Sequence, residues 1–581
     1  MLRTHTCGEL RADHDGSETT LCGWVHRRRD HGGLIFIDLR DRYGFTQVVF
    51  DPENKEQFAM AEKVRPEWVL KIEGKVRGRI DGAVRDDNPT GAIEVVVGTA
   101  TVLNESKTPP FEIDQDKDIG EDVRLEYRFL DLRRTRMQKN LKLRNDIVQA
   151  VREYFHKNDF LEIETPIMVK GTPEGSREYL VPSRLHHGNF YVLPQSPQQL
   201  KQLLMVAGVD KYFQVPRCFR DEDQRGDRQP EFTQFEIEMS FVEQEDILTQ
   251  LEECFVELTA KIRPDKKIQS TPFPRMTYKD AMETYGSDKP DLRFELKFTD
   301  VTDIAKECDF KVFSAAETVK AMNVPGGGKM SRKDIDDLTD LAQRHGAKGL
   351  AWVRVGEDSG PVVKNAGETF LKTLNEKTGA KDGDIIFFAA GEYPHALEPL
   401  GEVRKAAAKM LDMIDTSIWS YVWILDFPMF EKSKETGAVG AVHHPFTRPH
   451  ADDEELFETD PLAARATAYD LALDGNEIGG GSMRIHERAL QKKIFDVLGI
   501  TDEDADQRFG HMLRAFEYGA PPHGGIAFGL DRVCMIFADE PNIREVIAFP
   551  KDQKAKDLML GSPSPMPQEQ LEELGIAILE D

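Results

Sequence analysis

The stretch Arg217-Cys218-Phe219-Arg220-Asp221-Glu222-Asp223 leads, after a loop containing Gly and Arg, into Gln229-Pro230-Glu231-Phe232-Thr233-Gln234-Phe235-Glu236-Ile237-Glu238. It spells strand, charged loop, strand. Alternation in the second strand puts Phe232, Gln234, Glu236 and Glu238 on one face. A carboxylate row beside an aromatic ill suits a core. It suits a floor that binds an amine or a metal and stacks a base. Arg220, at the loop entrance, can grip a phosphate or a carboxylate with two N–H groups. This stretch alone leaves open an ordinary surface hairpin of paired charges.

Two further stretches narrow the choice. His523-Gly524-Gly525-Ile526-Ala527-Phe528-Gly529-Leu530-Asp531-Arg532 runs into the apolar Val533–Phe537. The glycines let backbone approach a ligand closely. Arg532 falls in the early turn of a predicted helix, against the helix dipole, a local conflict that marks function. In Asp470-Leu471-Ala472-Leu473-Asp474-Gly475-Asn476-Glu477-Ile478-Gly479-Gly480-Gly481-Ser482-Met483-Arg484, Asp470 and Glu477 lie on neighbouring strand patterns. Two such carboxylates can share a hard cation with a phosphate, and the three glycines would let a substrate lie against the strand. A hairpin with a glycine bulge is the plain alternative.

Outward from these stretches the chain falls into blocks. Residues 1–107 read as all-β, with short runs at Leu21–Val25, Leu34–Leu39, Thr46–Phe50, Val69–Ile72 and Ile93–Val97. About five short strands in about a hundred residues suit a small closed barrel of the OB type, an ordinary sandwich being the alternative. Residues 108–140, opening with Thr108-Pro109-Pro110, read as a hinge or linker. Helical spacing runs from Tyr127 to Phe155, and an alternating strand over 159–165 stops at Pro166. The three informative stretches fall within two blocks, 141–287 and 417–581. Between them, 288–416 alternates helices with short strands, as an inserted α+β domain would. The expected fold is therefore multidomain α+β.

The 581 residues carry 76 Lys+Arg against 103 Asp+Glu, a net charge of −27. Residues 1–107 hold 16 basic and 18 acidic residues, so the barrel is close to neutral in a very acidic protein. That balance resists non-specific nucleic-acid binding but permits a local site. Six scattered cysteines without a C-x-x-C pair argue against a disulfide framework and a cysteine zinc site. No apolar run approaches the roughly 18–20 residues of a membrane span, and the N-terminus has no signal-like apolar region. The expectation is a soluble, cytoplasmic protein without membrane partners.

Together the three stretches resemble the signatures of class II aminoacyl-tRNA synthetases: a helix and strand ending at Pro166, the Phe219-Arg220-Asp221-Glu222 loop, and Gly529-Leu530-Asp531-Arg532. Thr172-Pro173-Glu174-Gly175, Pro194-Gln195-Ser196-Pro197-Gln198 with Lys201, and Ala441-Val442-His443-His444-Pro445-Phe446-Thr447 sharpen this to the bacterial-type aspartyl-tRNA synthetases. Gly23-Trp24-Val25 and Arg27-Arg28-Arg29-Asp30 resemble that family's anticodon-binding OB-fold. The insertion stands where bacterial members carry an extra (GAD-like) domain. The resemblance covers nearly the whole chain.

The resemblance implies ATP-dependent activation of L-aspartate to an adenylate, then transfer to the 3′ end of tRNA. It assigns Arg220, Glu222 and Arg532 to catalysis. ATP would meet Arg220, Asp221, Glu222, Gln229, Phe232, Glu477 and Gly529 to Arg532, including Leu530 and Asp531. Phe232 would stack adenine, and Arg532 would cover its other face and reach the γ-phosphate. Mg2+ would sit on Asp470 and Glu477. Aspartate would meet Glu174, Gln198, Gln199, Leu200, Lys201, Arg220, Glu236, His443, His444 and Arg484, the two histidines adding donors when protonated. Many members carry Asp where Glu236 stands. In the barrel, Phe36 is the expected base-stacking aromatic, with Arg29 and Gln47 reading base edges. Strictly aspartate-tRNA-specific relatives commonly have Leu after the Arg-Arg-Arg-Asp run. Here His31 follows, and with Gly82 it resembles members that charge both tRNA(Asp) and tRNA(Asn). The latter product requires an amidotransferase partner. A homodimer is implied by the class.

Other readings fare worse. A tRNA-independent aspartate–ammonia ligase lacks the barrel, and a non-enzymatic RNA-binding descendant loses the ATP residues. The Arg484/Lys201 pocket and the insertion argue against asparaginyl and lysyl relatives. Lys329-Met330-Ser331-Arg332-Lys333 and Gly326-Gly327-Gly328-Lys329 are chance likenesses to a class I loop and a P-loop. The first has no H-I-G-H partner, and in the second Asn323 replaces the first glycine.

Overall fold

Five strands that alternate inward apolar and outward polar residues close on themselves near the N-terminus. They are Glu18–His31, Leu34–Asp41, Gly44–Phe50, Val69–Gly78 and Ile93–Asn104. All pairings are antiparallel except Gly44–Phe50 with Ile93–Asn104. Every expected short run is present, each lengthened at one or both ends. Leu21, Val25, Ile37, Leu39, Val48, Leu70, Ile72 and Val95 fill the interior, the arrangement of an OB barrel. The computed structural model describes residues 1–80, 82–114, 118–171, 176–224, 226–357, 359–433 and 436–579.

The chain packs as two units. The first comprises Met1–Arg144, Gln224–Gly226 and Pro541–Pro565. Within it the barrel is tied to the hinge by a buried carboxylate. Glu67 accepts from Arg40 at 2.8 and 2.9 Å and from Arg133 at 2.9 Å, and Arg133 also lies 5.0 Å over the Trp24 ring. The expected single helix from Tyr127 is broken. Short helices at Glu121–Glu126 and Arg128–Asp131 precede Thr135–Lys157. Asp114 caps the long helix, taking the Thr135 N–H at 2.5 Å and its hydroxyl at 2.9 Å.

The second unit comprises Asn145–Asp223, Asp227–Glu540 and Met566–Asp581. Its spine is a nine-stranded sheet. The order is Arg275–Thr277, Tyr421–Leu425, Ala468–Leu473, Asn476–Met483, His523–Gly529, Glu231–Ser240, Lys211–Gln214 and Leu161–Glu162, with Arg217–Phe219 also pairing on Glu231–Ser240. Only the two outermost pairings are parallel. The three informative stretches thus become the sheet's adjacent central strands. The strand expected over 159–165 shrinks to Leu161–Glu162, because it has a neighbour on one side only and runs into Pro166. The inserted segment forms its own four-stranded sheet, Phe298–Asp300, Thr318–Val324, Ile385–Gly391 and Ala351–Arg354 in that order. Separate apolar clusters are built around Phe387 and Phe388. Among the described residues no helix is long and apolar enough to cross a membrane. None of the six cysteines is in a disulfide.

Candidate active site

Register decides what meets on the central sheet. Glu236 stands opposite Ala527 and Gln214, and Glu238 opposite Gly525 and Tyr212. Both carboxylates are fully buried. Buried charge requires a partner, and two cations supply it. Lys201, on the helix Gln198–Val206, lies 3.1 Å from Glu236 and 3.4 Å from Glu238. Arg484, just beyond Asn476–Met483, donates Nε to Glu238 at 2.9 Å and Nη2 at 3.2 Å. Gly525 makes room for this: a Cβ there would fall 2.1 Å from a Glu238 oxygen.

The cage sets the charges of its members. Burial raises Glu238, but Arg484 and Lys201 outweigh it and hold the carboxyl below its ordinary value. For Glu236 burial wins over Lys201, and its pKa is raised. Its second oxygen accepts from the Tyr212 hydroxyl at 2.9 Å. Arg484 also donates to Gly525 O at 3.1 Å, Ser482 Oγ at 2.5 Å and His444 Nε2 at 2.9 Å. A guanidinium has five N–H groups, so every one is engaged. His444 therefore differs from expectation. Its Nε2 must be unprotonated to face a guanidinium, and burial, then Arg484, His443 and Lys201, push its pKa well down. It orients Arg484 and supplies no charge. For His443, burial opposes the charged form, but the Asp470 carboxylate, 3.6 Å away, raises its pKa.

Beside this cage lies a more open, half-exposed rim. Arg220 stacks 5.0 Å over the Phe232 ring and has no carboxylate partner among the described residues. Glu222 accepts from the Ser176 hydroxyl and from Arg228 at 2.7 Å. Asp221 is bridged to Arg177 through backbone. Gln229 is buried. Arg532 donates to Glu477 O at 2.5 Å and to Asp227 at 3.3 Å. Asp470 and Glu477 face the same region from the hairpin Ala468–Leu473/Asn476–Met483. Burial pushes the Asp470 carboxyl up to about 6, helped by Glu477 and Asp288 against His443.

The sequence matches the family described as tRNA synthetases class II (D, K and N) over residues 120–553, and an OB-fold nucleic acid binding domain over 19–103. The chain belongs to the class II tRNA synthetases. An aspartate–tRNA(Asp/Asn) ligase of Rubrobacter xylanophilus is 51% identical over 99% of this chain and 97% of its own length. One from Bacillus cereus is 51% identical over 99% of this chain and 98% of its own. In fold, the chain resembles asparaginyl-tRNA synthetase from Pyrococcus horikoshii complexed with asparaginyl-adenylate. That TM-score is 0.60 at 20% identity, covering 95% of this chain and 98% of the other. Aspartyl-tRNA synthetase from Entamoeba histolytica gives 0.57 at 18%, covering 94% and 91%.

In this synthetase two expected ATP-site residues, Leu530 and Asp531, turn inward. Leu530 is in the core, and Asp531 accepts the Thr233 N–H at 2.9 Å, tying the helix Leu530–Phe537 to the central strand. Their side chains hold the fold, which leaves only backbone to meet a ligand. Of the three glycines expected to let a substrate lie on the strand, Gly479 and Gly481 are instead packed against Phe528 and against Gly525 with Ile526. Gln198 donates to Gln202 at 3.1 Å, Leu200 is half-buried, and both amide atoms of Gln199 are buried without a hydrogen-bond partner among the described residues. Glu174 lies outside the described residues. Glu238 is not among the site residues expected from sequence, although it shares the alternating face of Glu236. Asp227, Ser176 and Tyr212 are further additions, and they carry no local signal.

On the synthetase's barrel, Phe36 is half-exposed between the buried Ile35 and Ile37 and pairs with Arg29. Arg29 donates to Asp38 at 2.7 Å and Gln47 at 3.2 Å, and Gln47 donates to Glu94 at 2.8 Å. Gln47 is buried and engaged at both ends, so it offers a base edge only after exchange. His31 and Gly82 are exposed.

Proposed function

We propose that the chain is an aspartate–tRNA ligase acting on tRNA(Asp) and also on tRNA(Asn). The observation that carries this reading is the buried cage of Lys201, Glu236, Glu238 and Arg484. Such a cage suits a small zwitterion with one ammonium and a side-chain carboxylate. Lys201 offers its remaining N–H, and Arg484 its Nη1 edge. That edge is held by two neutral acceptors, Ser482 and His444, which are easier to displace than the charged Glu238. Asparagine would set an amide against the same cations, with its N–H groups facing donors. Glu236 and Gln198 would receive the substrate ammonium.

In the first step a carboxylate oxygen of aspartate attacks the α-phosphate of ATP, and pyrophosphate leaves. In the second the terminal tRNA hydroxyl attacks the activated carbonyl, and AMP leaves. Neither step needs a protein nucleophile, so the chain works by positioning and by stabilising charge. Arg220, stacked on Phe232 and without a carboxylate partner among the described residues, would hold the α-phosphate and the reacting carboxylate. Adenine would displace Arg220 from the Phe232 face or take the opposite one. Glu222, Asp221 and Gln229 line the adenosine side, and Arg532 the far phosphates.

Asp470 and Glu477 suit Mg2+. Asp470 Oδ1 is buried, with His443 Nε2 3.6 Å away and no partner within hydrogen-bond distance among the described residues. Among the described residues no three His, Cys, Asp or Glu cluster as a ready metal site. Two carboxylates completed by phosphate oxygens and water are what Mg2+ accepts. When bound, it would neutralise phosphate charge.

The barrel would read the anticodon through Phe36, Arg29 and Gln47. His31 and Gly82 would tolerate the third anticodon base of either tRNA. Exposed Leu161, Ile167 and Met168 beside the edge strand support a homodimer. The division into 1–107, a hinge at 108–140, and a catalytic region interrupted by 288–416 belongs to the same reading, as do a cytoplasmic location and an amidotransferase that completes Asp-tRNA(Asn). The deciding experiment is aspartate charging by the purified protein on separate tRNA(Asp) and tRNA(Asn) transcripts. Charging of both is expected. Charging of tRNA(Asp) alone would remove the relaxed specificity. Charging of neither, with no ATP–pyrophosphate exchange, would remove the enzyme.

A further inference from the structure

The loop leading from the helix Tyr278–Tyr285 into the insertion carries charges that no step above uses: Asp288, Lys289, Asp291 and Arg293. It is pinned from both sides. From the insertion, Arg404 on the helix Glu398–Met410 is buried, with no carboxylate partner within hydrogen-bond reach among the described residues. It donates instead to the carbonyls of Asp291 at 2.9 Å, Phe294 at 3.1 Å and Leu296. Its guanidinium lies 4.1 Å from the Phe294 ring centre and 4.7 Å from that of Tyr285. From the catalytic sheet, Asp474 takes Arg293 at 3.1 Å, while Arg293 also holds Asp291 at 2.7 Å. Asp474 sits at the turn between the strands that carry Asp470 and Glu477. At that turn Gly475 has φ +81°, and a Cβ there would lie 3.2 Å from the Asp291 side chain. The loop therefore rests directly on the carboxylate hairpin.

Lys289 is delivered by this clamp two residues before Asp291. Its ammonium is half-buried, 3.3 Å from Asp288. Burial works against its charge, but Asp288 and Glu477 outweigh it and raise the pKa, with Arg532 opposing. The ammonium thus lies in the field of both Glu477 and Arg532, the groups that frame the far phosphates. A compact point charge suits phosphate oxygens that change geometry as they leave.

We propose that Lys289 is a further ATP-binding residue whose ammonium contacts the phosphates released as pyrophosphate, and that Arg404 is a positioning residue through which the inserted domain serves this step. The proposal rests on the reading that the chain activates aspartate with ATP. In that step the bond from carboxylate oxygen to the α-phosphorus forms and the α–β bridging bond breaks. The bridging oxygen leaves with the electron pair, and a fixed cation there stabilises the departing charge.

The test uses the full-length protein with inorganic pyrophosphate as the probe. Aspartate-dependent ATP–pyrophosphate exchange is measured for Lys289→Met, Lys289→Arg and Arg404→Lys. A non-hydrolysable aspartyl-adenylate analogue, which lacks the leaving phosphates, reports the rest of the site by calorimetry. Lys289→Met is expected to raise the KM for pyrophosphate about tenfold or more, the loss of one charge-assisted contact. Lys289→Arg should recover most of this, and analogue affinity should stay within about twofold. Arg404→Lys keeps the charge but loses the fork, and should raise the same KM while leaving analogue affinity alone. An unchanged pyrophosphate KM in Lys289→Met would overturn the proposal. So would a parallel loss of analogue affinity, which would mark Lys289 as structural. An unchanged KM in Arg404→Lys would overturn the positioning half. A wild-type protein without exchange would overturn the activation reading itself, a result visible before any substitution is made.

Discussion

Gly525 and Glu238 show how a buried charged cage depends on a missing side chain. A methyl group at Gly525 would press on the Glu238 carboxylate and loosen both Arg484 and Lys201. Gly525→Ala should cost about 1–3 kcal/mol of stability from overpacking and raise the KM for aspartate, measured by thermal unfolding and by exchange at varied aspartate. Arg220 differs, because among the described residues its side chain stacks on Phe232 without a carboxylate partner, and the fold does not need its charge. Arg220→Ala should leave the melting temperature unchanged yet slow adenylate formation on the order of a hundredfold, the effect of removing one preorganised donor. Alternation in the sequence is enough to place Glu236 and Glu238 on one face. It does not reveal that Arg484 is saturated, because Glu238 lies 246 residues away in the chain. Nor does it reveal that His444 is an acceptor, which follows only from the guanidinium it faces.

At the level of elements, the hairpin carrying Asp470 and Glu477 holds a testable strain at its turn. Burial pushes the Asp474 carboxyl up to about 6, against Arg293 and the Ser420 N–H. Its folded pKa lies above the unfolded value of about 3.9, so the folded state binds more protons in that window. The group's contribution to stability is therefore lost as pH rises from about 4 through about 6. Asp474→Asn keeps an acceptor for Ser420 and removes the charge. Its stability relative to wild type should improve by about 1 kcal/mol between pH 5 and pH 7, read as a widening gap in melting temperature. A gap independent of pH would mean that Arg293 neutralises the carboxylate fully. The barrel strands and the central strands are legible in the sequence because each has neighbours on both sides, the barrel strands alternating apolar-in with polar-out and the central strands alternating two buried faces of different polarity. The strand after Asp159 is not, because one-sided pairing supports only Leu161–Glu162. The break before Thr135 is hidden too, since its cap, Asp114, lies far back in the linker.

For the whole molecule, the distribution of charge decides how tRNA is held. A net charge of −27 repels a polyanion at long range, and the barrel itself is only two charges from neutral. On the proposed reading, binding would therefore come from a few local contacts such as Arg29 and Phe36, together with the cations around the ATP rim. Each phosphate contact adds about 0.7–0.9 to the slope of log affinity against log salt. An acidic protein with few such contacts should show a slope of only about 2–4, well below that of a basic nucleic-acid binder. Adenylate formation is a separate matter on the proposed reading, in which its phosphates would sit among Arg220, Arg532 and the carboxylate hairpin. Between about 50 and 200 mM KCl, the KM for tRNA in charging should accordingly rise roughly tenfold or more, while ATP–pyrophosphate exchange changes little. A steep loss of exchange over that range would place the long-range field, and not the local site, in control of ATP binding. A flat tRNA KM would move recognition from phosphates to the stacked and hydrogen-bonded bases at the barrel, where Phe36→Ala should then cost about 1–3 kcal/mol.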